Sequence, residues 1–123
     1  RMRFLLLQGN NDSQWGNFLA DILAPFGHLS VAVAEGWADK NEEEPDGLII
    51  VDVTNVEQFE NLVSHLCAEN PQRRVVVMTA SPTWQRARAA FESGAIDYLP
   101  KTLTADELRV AFKHLLQQPF PCQ

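Results

Sequence analysis

Apolar residues along this chain fall into two kinds of segment that alternate. Five short, nearly continuous apolar runs predict strands buried on both faces, as in a parallel sheet. They are RFLLLQ at 3–8, HLSVAVA at 28–34, LIIVDV at 48–53, RVVVMT at 74–79 and the short run 96–99. The run at 48–53 is continuous and rich in β-branched residues, which favours a central position in the sheet.

Between these runs, apolar residues recur at intervals of three and four positions, which predicts amphipathic helices. Asp12 or Ser13 is the expected N-cap of the first helix, and Gly27 its expected end. Thr104 and Glu107 have the spacing of a capping box before the last helix. The polar segment 37–46 allows only a short, weak helix. The helical stripes contain, in order, Trp15, Phe18, Leu19, Ile22, Leu23 and Phe26; Phe59, Leu62, Val63 and Leu66; Trp84, Ala87 and Phe91; and Leu108, Ala111, Phe112, Leu115 and Leu116.

Alternating strands and helices predict an α/β fold in which a parallel sheet carries helices on both faces. The length of 123 residues, 46% of them hydrophobic, suits one domain with one sizeable core. We expect this domain to span residues 1–118. Residues 119–123, which include Pro119 and Pro121, are expected to form a tail or the start of a linker.

Composition narrows the function classes. A net charge of -6 without a dense basic cluster argues against direct nucleic-acid binding. No apolar run approaches the length of about 20 residues that spans a bilayer, and no signal-peptide pattern is present, so we expect a cytoplasmic protein without membrane contact. Cys67 and Cys122 stand far apart in the sequence, in no metal-binding or CxxC spacing, and are expected to be free thiols.

Three polar residues follow neighbouring strands of the predicted sheet. Asp52 ends the third strand, Thr79 ends the fourth, and Lys101 comes just after the fifth. Ligands and reactive groups of such sheets gather at the carboxyl ends of the strands. Taken singly, the three are equally compatible with a turn aspartate, a loop-capping hydroxyl and a solvated lysine. Together they suit phosphoryl chemistry, with a nucleophilic carboxylate, a hydroxyl donor and a neutralising ammonium.

Four stretches resemble the receiver domain of bacterial response regulators, the CheY-like family. They are PDGLIIVD at 45–52, VVVMTA at 75–80, GAIDYLPK at 94–101 and TADEL at 104–108, in the family's order. The resemblance implies a flavodoxin-like, doubly wound five-stranded parallel sheet with strand order 2-1-3-4-5. It also implies two-component signalling, with a histidine kinase or another signalling protein as partner.

Position by position, the resemblance implies that Asp52 is the phosphoacceptor, Thr79 the hydroxyl that senses the phosphoryl group, and Lys101 its counter-charge. Tyr98 matches the family's switch aromatic, although it also suits a half-buried strand position. Trp84 is open between core packing and an exposed partner contact near the site.

The family's acidic pair, which binds magnesium with the phosphoacceptor, is replaced here by Gln8 and Gly9. Magnesium normally needs one or two carboxylates, so we expect no metal, with magnesium only weakly supported as a cofactor. Asp12 could bend back toward the site, or cap the first helix. Without the acidic pair, we expect Asp52 and Lys101 to form a resting ion pair.

The leading hypothesis is therefore an atypical pseudo-receiver, a protein-interaction module with weak or absent phosphorylation. It is expected to dimerise or dock through the family's fourth helix, fifth strand and fifth helix (the α4-β5-α5 face). The alternative is a working receiver phosphorylated on Asp52 by a histidine kinase. A lesser alternative is a flavodoxin-like domain that binds a small ligand such as a flavin phosphate in the loop 9–14. No enzymatic activity is expected, because no second carboxylate stands two residues from Asp52 to act as an acid.

Overall fold

The computed structural model describes residues 1–37, 43–118 and 121–122. Within these residues, five strands and four helices follow one another in the predicted order, and no helix is described between the second and third strands. The strands are β1 (Met2–Gln8), β2 (Gly27–Val33), β3 (Ile49–Asp52), β4 (Val75–Thr79) and β5 (Asp97–Pro100), and the helices are α1 (Ser13–Leu23), α2 (Phe59–Glu69), α3 (Trp84–Glu92) and α4 (Ala105–Gln117).

The sheet is entirely parallel and its strand order is β2-β1-β3-β4-β5. The predicted flavodoxin-like (CheY-like) topology is therefore confirmed. The direction in which successive strands are added to the sheet reverses between β1 and β3, and there Gln8 lies opposite Asp52. On the other side, Thr79 of β4 lies opposite Pro100 of β5, the residue before Lys101. This register gathers the polar strand ends at one edge of the sheet.

Two hydrophobic cores cover the two faces of the sheet because successive strand residues point to opposite sides. Phe4 and Leu6 of β1 pack in the core formed with α1 and α4, whereas Leu5 and Leu7 pack in the core formed with α2. Strands β3 and β4 are buried on both faces, which explains their continuous apolar runs.

Helix capping follows the sequence closely, with one exception. The side chain of Asp12 accepts a hydrogen bond from the Trp15 amide, and Thr104 with Glu107 forms the predicted capping box. The expectation that Gly27 ends α1 is wrong, because α1 ends at Leu23 and Gly27 starts β2. A side chain at Gly27 would overlap the carbonyl of Met2, so the close approach of β1 and β2 requires glycine there.

The weak helix expected in segment 37–46 falls largely on residues 38–42, which lie outside the described ranges, as do residues 119–120 and 123 of the tail. Trp37, at the start of the polar segment, is buried and packs in the α2 core. No helix among the described residues is both long enough and apolar enough to cross a membrane.

Arg73 is a buried cation at the amino end of β4. Its guanidinium donates to both carboxylate oxygens of Glu44, at 2.7 and 3.0 Å, and to Glu69 at 2.9 Å. It also lies 5.3 Å from the centroid of the Trp37 ring. Its hydrogen bonds lower the pKa of Glu44, against the opposing effect of burial. This network fixes the end of the molecule opposite the strand termini that carry Asp52 and Thr79.

The prediction of free thiols is wrong. Cys67 of α2 and Cys122 of the tail form a disulfide whose Cα atoms are 5.6 Å apart. Their separation of 55 residues concealed the pairing, which depends on how the fold returns the chain end to α2. The Cys122 amide donates to the Arg73 carbonyl at 2.8 Å, and the Arg74 guanidinium donates to the Leu116 carbonyl at 3.3 Å. These contacts bring the tail alongside the start of β4.

Candidate functional site

The side chain of Asp52 faces the α1 and α4 side of the sheet. Asp52 is two positions beyond Ile50, which packs in that core, and alternate strand residues share a face. Because β3 ends at Asp52, the carboxylate emerges where α1 begins and where the chain leaves β5. The fold thus places an acidic group in a nearly closed setting, only 4% exposed.

Both carboxylate oxygens of Asp52 have partners. Oδ2 lies 2.7 Å from Nζ of Lys101, and Oδ1 accepts a hydrogen bond from the Thr54 amide at 3.0 Å. The predicted resting ion pair is therefore present. A buried carboxylate is costly without such partners, so the pair and the amide together account for its presence at this strand end.

Two further contacts fix Lys101. Its backbone amide donates to the Thr79 carbonyl at 2.8 Å, which ties the chain after β5 to the end of β4. Its ammonium lies 4.6 Å from the centroid of the Trp15 ring, a cation–π contact. Sequence reasoning assigned Trp15 only to the apolar stripe of α1. Its position in the first turn of a helix that follows β1 was the available signal, because such turns lie at the carboxyl edge of the sheet.

Thr79 and Tyr98 are both engaged by the loop between β4 and α3. The hydroxyl of Thr79, a fully buried residue, accepts from the Ser81 amide at 3.1 Å. The hydroxyl of half-buried Tyr98 accepts from the Thr83 amide at 3.4 Å. The structure therefore brings Thr79 to the strand edge beside the Asp52–Lys101 pair and connects Tyr98 to the same loop.

Gln8 is turned toward the loop that follows it. Its side-chain nitrogen donates to the Asp12 carbonyl at 3.2 Å, and its oxygen accepts from the Asp12 amide at 3.3 Å. The carboxylate of Asp12 in turn accepts from the Trp15 amide. Of the two roles considered for Asp12, the structure thus shows the helix cap.

Gly9 has no room for a side chain. A Cβ atom there would lie 2.8 Å from the Asn55 carbonyl oxygen and 3.0 Å from Cγ2 of Val56. The loop after β3 therefore occupies the space that an acidic residue would need. An acidic side chain at position 9 would therefore require the loop after β3 to move.

The side chains at this edge do not fit a magnesium ion. Magnesium needs an octahedral set of oxygen ligands with carboxylates among them. The carboxylate of Asp52 is bound by Lys101 and by the Thr54 amide, and the carboxylate of Asp12 caps α1. The side chain of Gln8 is hydrogen-bonded to the main chain of Asp12. Among residues 1–37, 43–118 and 121–122, no group of three or more His, Cys, Asp or Glu side chains is placed to hold a metal. The cavity beside Asp52 measures only about 40 Å³.

Trp84 begins α3 and is 69% exposed, so the partner-contact alternative fits its position better than core packing. The residues before it form the β4–α3 loop that binds Tyr98. Aromatic residues are enriched in protein interfaces, and the exposed ring of Trp84 is available to a partner protein.

The chain matches no protein-family profile and no curated protein. Solved structures, in contrast, match it over nearly its full length. The BeF3-activated DrrB receiver domain shares 17% identity at a TM-score of 0.80, with 95% of this chain and 98% of that chain covered. A response regulator from Thermotoga maritima shares 20% identity at a TM-score of 0.78, with 96% and 100% covered. The orphan response regulator HP1043 of H. pylori shares 25% identity at a TM-score of 0.73, with 94% and 97% covered. These structures show that the chain has the receiver fold.

Proposed function

We propose that this chain is a pseudo-receiver, a signalling domain that binds partner proteins without depending on phosphorylation. The supporting observation is the state of Asp52, whose two carboxylate oxygens are held by Lys101 and by the Thr54 amide. Fold alone does not establish function, so the proposal rests on this site and on the receiver-like sequence stretches.

Phosphorylation of Asp52 would require one carboxylate oxygen to give up its contact with Lys101 or with the Thr54 amide. That negatively charged oxygen would then have to attack a phosphoryl group that is also negatively charged. In such transfers, cations neutralise the developing charge. Lys101 is the cation among the residues that line the small cavity beside Asp52, and it is already paired. The positions that would supply metal ligands hold Gln8 and Gly9. The site is therefore better suited to a stable ion pair than to phosphoryl transfer.

The proposed docking surface consists of α3, β5 and α4, which correspond to the family's α4-β5-α5 face. A cavity of about 520 Å³ opens on it and is lined by Phe91, Ile96, Asp97 and His114, among others. Phe91 is 47% exposed. Burial raises the pKa of Asp97 despite its hydrogen bond from the Tyr98 amide. An exposed aromatic ring beside a cavity with a mixed apolar and polar lining suits a second copy of the chain or another signalling protein.

Sedimentation velocity tests the homodimer. We expect Phe91→Ser to weaken self-association about tenfold or more, because exposed aromatic residues contribute strongly to interfaces. Val31→Ser is the matched control, since Val31 is similarly exposed, at 45%, on the opposite edge strand. Asp52→Asn should leave association unchanged. Equal weakening by Phe91→Ser and Val31→Ser, or no association at all, would argue against this surface as a homodimer contact.

The second candidate is a working receiver that takes a phosphoryl group from a histidine kinase onto Asp52. One observation favours it: the hydroxyl of Thr54 is buried without a hydrogen-bond partner among the described residues, and Thr54 lines the cavity beside Asp52. It is a donor available to a phosphoryl oxygen there. Thr79 and Lys101 also lie at the adjacent strand ends.

A magnesium titration with and without beryllofluoride, a phosphoryl mimic, separates the two candidates. The amide signals of Asp52, Thr79 and Lys101 should stay unchanged at millimolar concentrations if the chain is a pseudo-receiver. A saturable shift that needs both reagents and disappears in Asp52→Asn would establish the working receiver instead.

Small-ligand binding is the lesser alternative. The cavity beside Asp52 measures about 40 Å³, far below the usual size of a ligand pocket, which is about 300 Å³ or more. A second cavity, on the other side of Gly9 and lined also by Ala34 and Asn55, measures about 340 Å³ and is at the lower end of that range. We propose a non-enzymatic, cytoplasmic signalling role. The absence of bound colour in the purified protein, combined with unchanged thermal unfolding in the presence of flavin mononucleotide, would exclude the flavin alternative.

A further inference from the structure

We propose that Cys67 and Cys122 form a reversible redox site that clamps the C-terminal segment onto α2, and that a dithiol reductant opens the clamp. The sulfur atoms are bonded in the structure. The proposal concerns what this bond controls, and it is independent of Asp52 and of the proposed docking surface.

The bond connects α2 to the segment that follows α4, and these two helices lie on opposite faces of the sheet. Helix α4 packs on the face of the sheet shared with α1, whereas Cys67 belongs to α2 and contacts the core on the opposite face. The segment that leaves α4 at Gln118 reaches Cys122 beside α2. The chain therefore lies on one side of the sheet at α4 and on the other side at Cys122, where the disulfide holds it.

Little else in the described part of the segment holds Cys122 in place. Its amide donates one hydrogen bond, to the Arg73 carbonyl at 2.8 Å, and its side chain packs partly against the α2 core. Pro121 cannot donate a backbone hydrogen bond. Cys122, held by one backbone hydrogen bond and a partly buried side chain, should separate from the domain when its covalent link is broken, because keeping a residue ordered costs conformational entropy.

Both cysteines are partly exposed, so a small dithiol can reach them. Cys67 is in the last turns of α2, with its sulfur 3.7 Å from the Gly94 carbonyl oxygen. One thiolate of the reductant attacks a sulfur of the bond, which gives a mixed disulfide and a free cysteine thiolate. The second thiolate of the reductant then displaces the other cysteine. The chain gains two electrons and two protons, and the reductant becomes a disulfide.

Reversibility follows if the protein has the cytoplasmic location proposed above. Disulfides in the cytosol are generally transient and serve redox sensing or catalysis, because cellular dithiols keep most thiols reduced. A bond at the margin of the α2 core, which fastens the segment after α4, can open without dismantling the domain. The proposed consequence of oxidation is thus a change in where the C-terminal segment lies.

Amide hydrogen exchange measured by NMR, with and without dithiothreitol, tests the clamp. In the oxidised protein the Cys122 amide should be protected, and reduction should speed its exchange about tenfold or more. The Val51 amide in β3 should stay protected in both states. Oxidised glutathione should then restore protection at Cys122.

Cys67→Ser is the matched control, because it retains Cys122 and its amide but cannot form the bond. Its Cys122 amide should exchange rapidly under both conditions. Protection of Cys122 that survives reduction would show that the segment docks without the bond. Loss of protection at Val51 on reduction would show a structural crosslink. Failure of glutathione to restore protection would show that the bond is not reversible, and any of these three results would overturn the proposal.

Discussion

The ammonium of Lys101 lies 2.7 Å from Oδ2 of Asp52, although the two residues are 49 positions apart in the sequence. The same ammonium lies 4.6 Å from the centroid of the Trp15 ring. The side chains of Asp52 and Lys101 are only 5% and 16% exposed. Removing either partner from a buried pair leaves an uncompensated charge, which usually costs more than the pair itself contributes. We therefore expect the folded domain to depend on both members of the pair, and substitutions can test this.

Lys101→Met should lower the free energy of unfolding by about 3 kcal/mol, because it leaves Asp52 buried with only the Thr54 amide as partner. Urea denaturation at neutral pH measures the change. Lys113→Met, on the exposed face of α4, should change it by less than about 0.5 kcal/mol. Adding Asp52→Asn to Lys101→Met should recover part of the loss. A double variant as unstable as the sum of the two single variants would contradict the pairing.

Trp15→Leu should lower the free energy of unfolding by about 1–3 kcal/mol through lost aromatic packing and the lost cation–π contact with Lys101. In a Lys101→Met background, the same substitution should cost about 0.5–1 kcal/mol less, since the cation is already absent. Trp84→Leu provides the control, because Trp84 is largely exposed and should have little effect on stability. Equal costs of Trp15→Leu in both backgrounds would exclude a contribution from the ammonium.

Gly9→Ala should destabilise the fold by about 1–3 kcal/mol, since the new Cβ atom would lie 2.8 Å from the Asn55 carbonyl oxygen. Gly16→Ala, within α1, meets only Cγ2 of Val31 at 3.4 Å and should be neutral or stabilising by up to about 1 kcal/mol, because alanine favours helix. Thermal unfolding of both variants makes the comparison. A Gly9→Ala variant as stable as the parent would show that the loop after β3 yields easily.

Glu44 should contribute to the pH dependence of stability. Its hydrogen bonds from Arg73 lower its pKa in the folded state below that of the unfolded chain, so the folded state binds fewer protons. The stabilisation is thus present above the ordinary glutamate pKa and is lost as pH falls through the lowered one. The stability difference between the parent and Glu44→Gln should shrink from neutral pH to about pH 3.

Glu43→Gln is the control for that experiment, because the Glu43 side chain is largely exposed and its contact with Arg3 spans 3.5 Å. Exposed ion pairs contribute little to stability. Urea unfolding curves at a series of pH values should therefore show a pH-dependent loss for Glu44→Gln and almost none for Glu43→Gln. A pH-independent difference between the parent and Glu44→Gln would contradict the linkage.

Reduction of the Cys67–Cys122 bond should lower the free energy of unfolding by about 2–4 kcal/mol, because the bond constrains a long loop in the unfolded chain. Denaturation with and without dithiothreitol gives the value. The Cys67→Ser variant should unfold identically under both conditions. Unchanged stability of the parent on reduction would mean that the unfolded chain gains no freedom from losing the bond.

Much of the fold was predictable because hydrophobic patterning reports burial directly. The continuous runs at 48–53 and 74–79 predicted β3 and β4, which are indeed covered on both faces. The Thr104 capping box was predictable because it depends on residues three positions apart. The end of α1 was misplaced at Gly27, since a glycine needed for the approach of two strands has the same signature as one that ends a helix.

The site shows the same division. The pattern of strand ends along the chain was enough to predict that Asp52, Thr79 and Lys101 lie at one edge of a parallel sheet. Three contacts became visible only in the folded chain: Trp15 lies over the ammonium of Lys101, Asn55 fills the space beside Gly9, and Cys122 is bonded to Cys67. These are contacts between elements distant in sequence, and their geometry depends on how helices and loops pack across the sheet, for which local patterning carries no signal.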